Sequence, residues 1–407
     1  MQSRVLFFVF VTVLLDMVGF GIVIPLLPFY VQSMGGSAEV VGLLLGTFAF
    51  TQMIATPILG RLSDRYGRRP VILASLFGNA VAMVIFAVAA EQHWLGLLFV
   101  SRILAGATAG NLAACQAAVA DVTSGPDRAA GMGRVGAGIG LGLVIGPVLG
   151  SAISHLHPNA PPLAAGLLAA LDCLGVWWLM PETRAVVPSH DATARAADRR
   201  ALRRALVAPA ILAVMAIYFL TFICMTNVQV SLGLLADMRL GWTATEVGHL
   251  FGLYGLMALI VQGGAIGKIS RRYPSVNVLV GGTVLIGLGM ALIGVAHSAA
   301  TLVVGVALAG LGAGLTNPTL ASLASQHAGR GQQGAVLGFA QSAGGAARSV
   351  GPVWSGFLFA RLGASAPFLG GALAAVLSLA IAWTLRRRTL AAPAVPEKVE
   401  EIVAASS

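Results

Sequence analysis

The sequence predicts an all-α membrane protein, with twelve transmembrane helices in two pseudo-symmetric six-helix bundles. Three observations predict it. The 407 residues are 57% hydrophobic and 10% charged, with a mean hydropathy of +0.87, whereas soluble domains carry about 25% charged residues. A spanning helix needs about 20 mostly apolar residues, and a window of that length finds twelve candidates. The halves also echo each other. Gly60-Arg61-Leu62-Ser63-Asp64-Arg65-Tyr66-Gly67 returns in degraded form as Gly267-Lys268-Ile269-Ser270-Arg271-Arg272-Tyr273-Pro274, about 207 residues later, and Gly146-Pro147 returns as Gly351-Pro352, about 205 residues later. Two matching offsets argue for a parallel repeat.

The candidate spans run near 5–31, 40–60, 71–90, 95–118, 130–155, 162–180, 209–235, 246–267, 276–296, 300–323, 334–360 and 365–385. Most connections are short, which favours antiparallel neighbours. The exception, 182–208, holds Arg184, Arg195, Arg199, Arg200, Arg203 and Arg204 with Asp191 and Asp198. It reads as a cytoplasmic linker between a first bundle, 1–181, and a second, 209–388. The tail, 389–407, has a composition that does not pack a core. Orientation follows lysine and arginine. With a cytoplasmic N-terminus, the inside receives Arg4, the Gly60–Pro70 arginines, Arg128, Arg134, the linker, Lys268, Arg271, Arg272, Arg330, Arg386, Arg387, Arg388 and Lys398. The outside receives Arg239 and Arg361. Both termini are therefore expected in the cytoplasm. The net charge of +10 is then a topology signal and an attraction to the lipid bilayer, not a nucleic-acid footprint. No cleavable signal peptide is expected, because the first apolar run is long enough to span and no small-residue cleavage site ends it.

The loop from Gly60 to Pro70 concentrates charge. Gly60 and Gly67 permit sharp turns, and Pro70 suits the first turn of the next helix. Arg61, Arg65, Arg68 and Arg69 surround a single acid, Asp64. Asp64 can accept from free N–H groups at the helix start that follows, or pair with an arginine of a neighbouring loop. Asp121 and Arg128 belong to the same face, so a conformational latch is expected there. The alternative is a merely solvated basic loop.

In the first span, Asp16 lies about eleven residues in, roughly 16 Å deep at 1.5 Å per residue. A carboxyl at that depth is cheapest when neutral, so it can trade a proton. The alternative is a structural carboxylate tied to neighbouring polar groups. Pro25 and Pro28 release helix hydrogen bonds near the other end of the span. Arg102 opens the fourth span and must face the protein interior or a water-filled cavity. The fifth span holds Gly133, Gly142, Gly146, Pro147, Gly150 and Ser151. Glycines on one face allow tight packing and Pro147 gives a kink.

Gln52, Asn111, Gln116, Asn227, Gln229, Tyr254, Gln262, Asn317 and Gln341, with Arg102 and Arg348, are candidates to line a substrate cavity, and Asn79 is a further intramembrane polar residue. Each alone more often makes an interhelical hydrogen bond. Asp172, on the sixth span, is a second buried acid and is read as scaffold. Cys115, Cys173 and Cys224 fall in apolar segments and are read as packing residues. His155 and His157 have no acid or cysteine partner, so no metal site is expected. Gly310-Leu311-Gly312-Ala313-Gly314 lies inside a span and means close packing, not a phosphate loop. No catalytic centre, cofactor or ATP-driven pump is expected.

The Gly60–Pro70 loop resembles the signature loop of the major facilitator superfamily. The fifth-span spacing resembles that superfamily's antiporter signature, with Ser151 in place of a final glycine. Within the superfamily the chain resembles the bacterial tetracycline/proton antiporters of the twelve-helix drug-efflux group. The likeness is strongest from Asp16 through Glu182, including Pro181-Glu182-Thr183. It returns in Gly241-Trp242 through Gln262 and in Gln333-Gly334-Ala335. By matching position it lends importance to Asp16, Asp64, Arg68, Arg102, Asp121, Arg128, Glu182 and Gln262. Three departures stand out. The family carries an acid on its third helix, where this chain has Ala82; a histidine on the eighth, where it has Ala258; and an acid on the ninth, absent between Ser275 and Ala296. The resemblance implies a monomeric, proton-coupled antiporter in a bacterial inner membrane, exporting a small amphiphilic or drug-like compound by alternating access. Energy would come from the proton gradient, and Asp16 would be the coupling site. The departures put tetracycline itself in doubt. A proton symporter or facilitator for a small metabolite is the alternative.

Overall fold

The computed structural model describes residues 2–157, 159–183, 208–327 and 333–391, and among them all regular structure is helical. The helices are α1 (Gln2–Ser33), α2 (Ala38–Tyr66), α3 (Arg68–Glu91), α4 (Leu95–Val122), α5 (Gly125–Ser154), α6 (Ala160–Leu179), α7 (Pro209–Leu240), α8 (Ala244–Arg272), α9 (Ser275–Val295), α10 (Ala299–Gln326), α11 (Gln333–Leu362) and α12 (Ala366–Ala391). By length and composition, eleven of these stretches can cross a membrane. The exception is α11, long enough at 30 residues but diluted by Gln341, Arg348 and its many small residues. The arginine-rich linker from 184 to 207, Arg330 and the tail beyond 391 lie outside the described residues.

Contacts in one half recur in the other. In the first six helices α1 packs on α5 and α6, α3 on α4 and α6, and α2 on α4. In the second six α7 packs on α11 and α12, α9 on α10 and α12, and α8 on α10. The echoed glycines follow the same rule: Gly146 packs on Gly21 of α1, and Gly351 packs on Thr226 of α7. The peripheral helices carry two apolar faces. On α6, Ala165, Ala169, Asp172 and Val176 are buried while Leu163, Leu167, Leu171, Leu174 and Trp178 are exposed. That exposed stripe is the face a helix presents to lipid.

Several spans are not simple rods. A short 3₁₀ turn, Ile24–Leu26, interrupts α1 where Pro25 and Pro28 remove backbone donors. The α4 helix breaks between Thr108 and Asn111, and Gln52 Nε2 donates to the Ala109 carbonyl in that break at 3.4 Å. A π turn, Val261–Ala265, interrupts α8. The expected two-glycine turn at the basic loop is corrected. The α2 helix runs through Gly60 to Tyr66, and Gly60 is not among the glycines with the positive φ that a turn would draw on. The reversal is made at Gly67 alone, with φ +108°, and α3 begins at the next residue.

The two halves meet along α2–α11 and α5–α8. On one seam Gly42 abuts Pro352 and Gly356, and on the other Gly248 abuts Ser151 and Pro147. Arg361 Nε reaches Glu39 Oε1 at 3.1 Å, and Thr245 Oγ1 lies 2.7 Å from His155 Nε2. All of these contacts lie toward the end remote from Gly67. Toward the Gly67 end, Gly263, Gly264 and Gly267 face open space.

Candidate functional site

A cavity of about 200 Å³ lies between the halves, lined by α1, α5, α7, α8 and α10. Phe20, Ile24, Ile139, Leu143, Met225 and Phe251 supply much of its apolar wall, and Gln229, Tyr254, Gln262 and Asn317 its polar points. No charged side chain is among its lining residues. Asn317 Oδ1 is buried without a protein partner. Gln262 reaches the cavity from the π turn of α8, a distortion that re-aims side chains and recurs at functional sites.

Four of the eleven expected lining residues therefore line this cavity: Gln229, Tyr254, Gln262 and Asn317. The others are placed differently. Asn227 is fully buried and donates to the Pro367 carbonyl of α12 at 2.7 Å, because it lies on the α7 face opposite the one that carries Gln229. Arg102 is buried between α3 and α4, with its guanidinium 4.9 Å from the Phe86 ring centre and 3.2 Å from Ser101 Oγ. Ser101 in turn donates to the carbonyl of Ala82. Gln52 serves the break in α4, and Asn111 turns toward Asp16. Gln116 and Gln341 are not among the lining residues. Arg348 lies beyond the cavity, its guanidinium 5.0 Å from the Phe222 ring centre. Phe222 shares a helix face with the cavity residues Met225 and Gln229, by their spacing of three and four. The apolar wall residues were not singled out in the sequence, since nothing local distinguishes them from core.

The first helix divides its work by face. Phe20, Gly21, Ile24 and Pro25 meet the cavity. Leu14, Met17, Val18, Gly21 and Ile22 meet α5. Thr12, Asp16 and Gly19 turn into the first bundle. There Gly19 packs on Ala165 of α6, and Thr12 Oγ1 donates to Asp172 Oδ1 at 3.0 Å. Asp16 thus lies behind the cavity wall rather than on it, beside Asn111. The fifth-span glycines explain the α5 contact. A side chain at Gly142, Gly146 or Gly150 would meet the backbone of α1, whereas Gly133 has nothing within 4 Å. Pro147 packs on Gly21.

At the Gly67 end, Arg68 is the hub. Its guanidinium pairs with Asp64, reaches Asp121 Oδ2 from Nε at 2.9 Å, and donates to Ser63 Oγ at 2.9 Å. Asp64, in the last turn of α2, therefore pairs with Arg68 at the start of α3. The free N–H groups at the start of α3 are taken instead by Glu182, whose carboxylate accepts from Arg68 N at 2.8 Å and Arg69 N at 3.2 Å. That placement suits an anion at a helix N-terminus. Arg69 also donates to the Trp177 carbonyl, Arg65 stacks on Tyr66, and Arg128 donates to the Ala120 carbonyl. These bonds join α2, α3, α4 and the end of α6. The expected latch is thus a tie within the first half in this conformation, because the seam between the halves is closed at the other end.

The family model of the Major Facilitator Superfamily matches residues 9–352 and 215–406. The chain belongs to the major facilitator superfamily. It is a multi-pass membrane transporter with a small-molecule substrate, as that superfamily implies. Among curated relatives, the tetracycline resistance protein, class C, of Escherichia coli is 32% identical over 69% of this chain and 71% of its own length. Major facilitator superfamily domain-containing protein 10 of Mus musculus is 28% identical over 95% of this chain and 93% of its own. Among solved structures, the human organic anion transporter MFSD10 (TETRAN) is 27% identical, with a TM-score of 0.69, over 94% of this chain and 99% of its own. A bacterial homologue of the lysosomal transporter Spinster, in an inward-facing conformation, shares the fold at a TM-score of 0.78 with 15% identity.

Proposed function

We propose that this major facilitator transporter is a proton-coupled antiporter that exports a small amphiphilic compound by alternating access. The observation that carries the reading is the division of α1. One face forms cavity wall through Phe20, Gly21, Ile24 and Pro25, and another carries Asp16 between Thr12 and Gly19, which contact α6. Gaining or losing a proton there changes the charge that α1 must accommodate. The same helix is locked to α5, which carries half of one seam between the halves. A few kcal/mol of differential stabilisation is enough to exchange two such conformations. The apolar wall with a few polar points suits an amphiphile.

The arginine-rich end is the cytoplasmic one in this reading, from the positive-inside bias, and the protein works as a monomer in a bacterial inner membrane. Similarity to the Escherichia coli tetracycline resistance protein supports export. A second reading concerns substrate charge. Arg348 lies beyond the cavity, over Phe222, with no acidic side chain ion-paired to it among the described residues, so the anionic headgroup of a substrate reaching past the cavity would meet it. The likeness to a transporter named for organic anions supports that version.

The test uses inverted membrane vesicles with an imposed pH gradient, offered tetracycline, ethidium and a carboxylated fluorescein. Gradient-dependent uptake of any of the three, with proton release on its addition, is the expected result. Uptake of fluorescein alone favours the anion version. Uptake indifferent to the gradient, or running in the opposite direction, replaces antiport with facilitation or symport.

A further inference from the structure

We infer that Asp172 is a second proton-carrying carboxyl, held against α1 by Thr12 one turn from Asp16, so that the coupling unit is a carboxyl pair and not a single acid. The inference rests on the antiport reading and names the residues that hold the proton. Asp172 is 5% exposed, midway along α6. Its Oδ1 accepts the Thr12 hydroxyl at 3.0 Å, while its Oδ2 is buried with no partner. Thr12 and Asp16 are one turn apart on the same face of α1, so their side chains are neighbours. Asn111 and Cys115 are buried as well, on the part of α4 that packs against α1.

What surrounds the pair decides its chemistry. From α4 it meets Asn111 and Cys115, neither of them a cation. Arg102 of the same helix is engaged with Phe86 and Ser101. On α3 the charged groups are terminal: Arg68 and Arg69 serve the basic end, and Glu91 bonds Asn159 at the other. On α5, Asp127, Arg128 and Arg134 sit near its basic end. The remaining neighbour on α6, Cys173, turns its thiol to the Leu73 carbonyl. Among the described residues no salt bridge reaches either acid. Two carboxylates in such a setting cannot both carry charge at low cost. One therefore holds a proton and the other offers the acceptor, and the pair takes up one proton from water and returns one to it. The unpartnered Oδ2 of Asp172 is the atom left free to receive it.

The test needs no substrate. Purified protein in lipid nanodiscs is titrated with pH and followed by infrared difference spectroscopy of the protonated carboxyl C=O band. In wild type, one such band should titrate, and Asp16→Asn and Asp172→Asn should each displace its midpoint by about one pH unit or more, the mark of interacting sites. Thr12→Val keeps both acids and removes the hydroxyl that holds Asp172 against α1, so it should move the midpoint too, and it reports even where Asp172→Asn folds poorly. A merely structural Asp172 would lower folded yield and leave the Asp16 midpoint of the surviving protein unchanged, as would Thr12→Val. That result overturns the pair. The antiport reading fails separately, through vesicle transport that ignores the pH gradient.

Discussion

Gly67 is held by two independent constraints. Its φ of +108° lies where L side chains are strained, and a Cβ there would collide with the Glu182 carboxylate that caps α3. Backbone strain of this kind costs about 1–3 kcal/mol, and losing a helix cap costs about 1 kcal/mol more. Gly67→Ala should therefore lower the thermal midpoint of purified protein and cut transport, and Gly60→Ala should do neither. Equal behaviour of the two variants in a thermal-shift assay would refute this account of the turn. Asp16 supports a sharper prediction. Asp16→Asn keeps shape but fixes the neutral state, so uphill, gradient-driven uptake into inverted vesicles should vanish while downhill exchange survives. Uphill transport at the wild-type rate, normalised to folded protein, would remove Asp16 from the coupling step. Asp16 was legible in the sequence because an acid in an apolar span is conspicuous by itself. Its neighbour Asp172 was visible as a buried acid, but its role was not, since the bond from Thr12 crosses 160 residues of sequence and follows only from how α1 and α6 pack.

At the scale of elements, the α1–α5 contact is the firmest consequence of the glycine spacing. Gly142, Gly146 and Gly150 recur every four residues, which places them on one face, and each brings the α1 backbone into contact. Gly133 belongs to the same sequence signature yet touches nothing within 4 Å. Overpacking a tight contact costs roughly 1–3 kcal/mol or more. Gly146→Val should accordingly reduce folded protein recovered from membranes, whereas Gly133→Val should be recovered at the wild-type level. Similar losses for both would mean that the signature acts through something other than this packing. Spacing could not separate the two glycines, because it reports a face but not whether a neighbour occupies it. The same gap explains Asn227. Nearly every residue along the middle of α7 is buried, so periodicity gave no face to choose, and only the position of α12 shows where the Asn227 amide goes.

At the scale of the whole molecule, the repeat was legible because two motifs recurred at nearly the same offset, and the paired contacts of α1–α6 and α7–α12 follow that register. Which end of the seam is closed was not legible, because both arrangements of an alternating-access transporter share one sequence. In this conformation the halves touch through Gly42 with Pro352, Gly248 with Ser151, and Glu39 with Arg361. The Glu39–Arg361 pair has side-chain exposures of 36% and 66%, and pairs so exposed contribute only about 0–1 kcal/mol. It should mark the closed end rather than hold it. Arg361→Ala is therefore expected to leave transport within about fivefold of wild type, since 1 kcal/mol is a factor of roughly five. A covalent tie at the same place should behave differently. With Cys115, Cys173 and Cys224 replaced, Glu39→Cys and Arg361→Cys joined by a short cleavable bis-thiol linker should stop turnover, because the seam must part for the cavity to reach the other side. Cleaving the linker should restore it. Undiminished turnover in fully linked protein would show that this end need not open, and alternating access about the α2–α11 and α5–α8 seams would have to be abandoned.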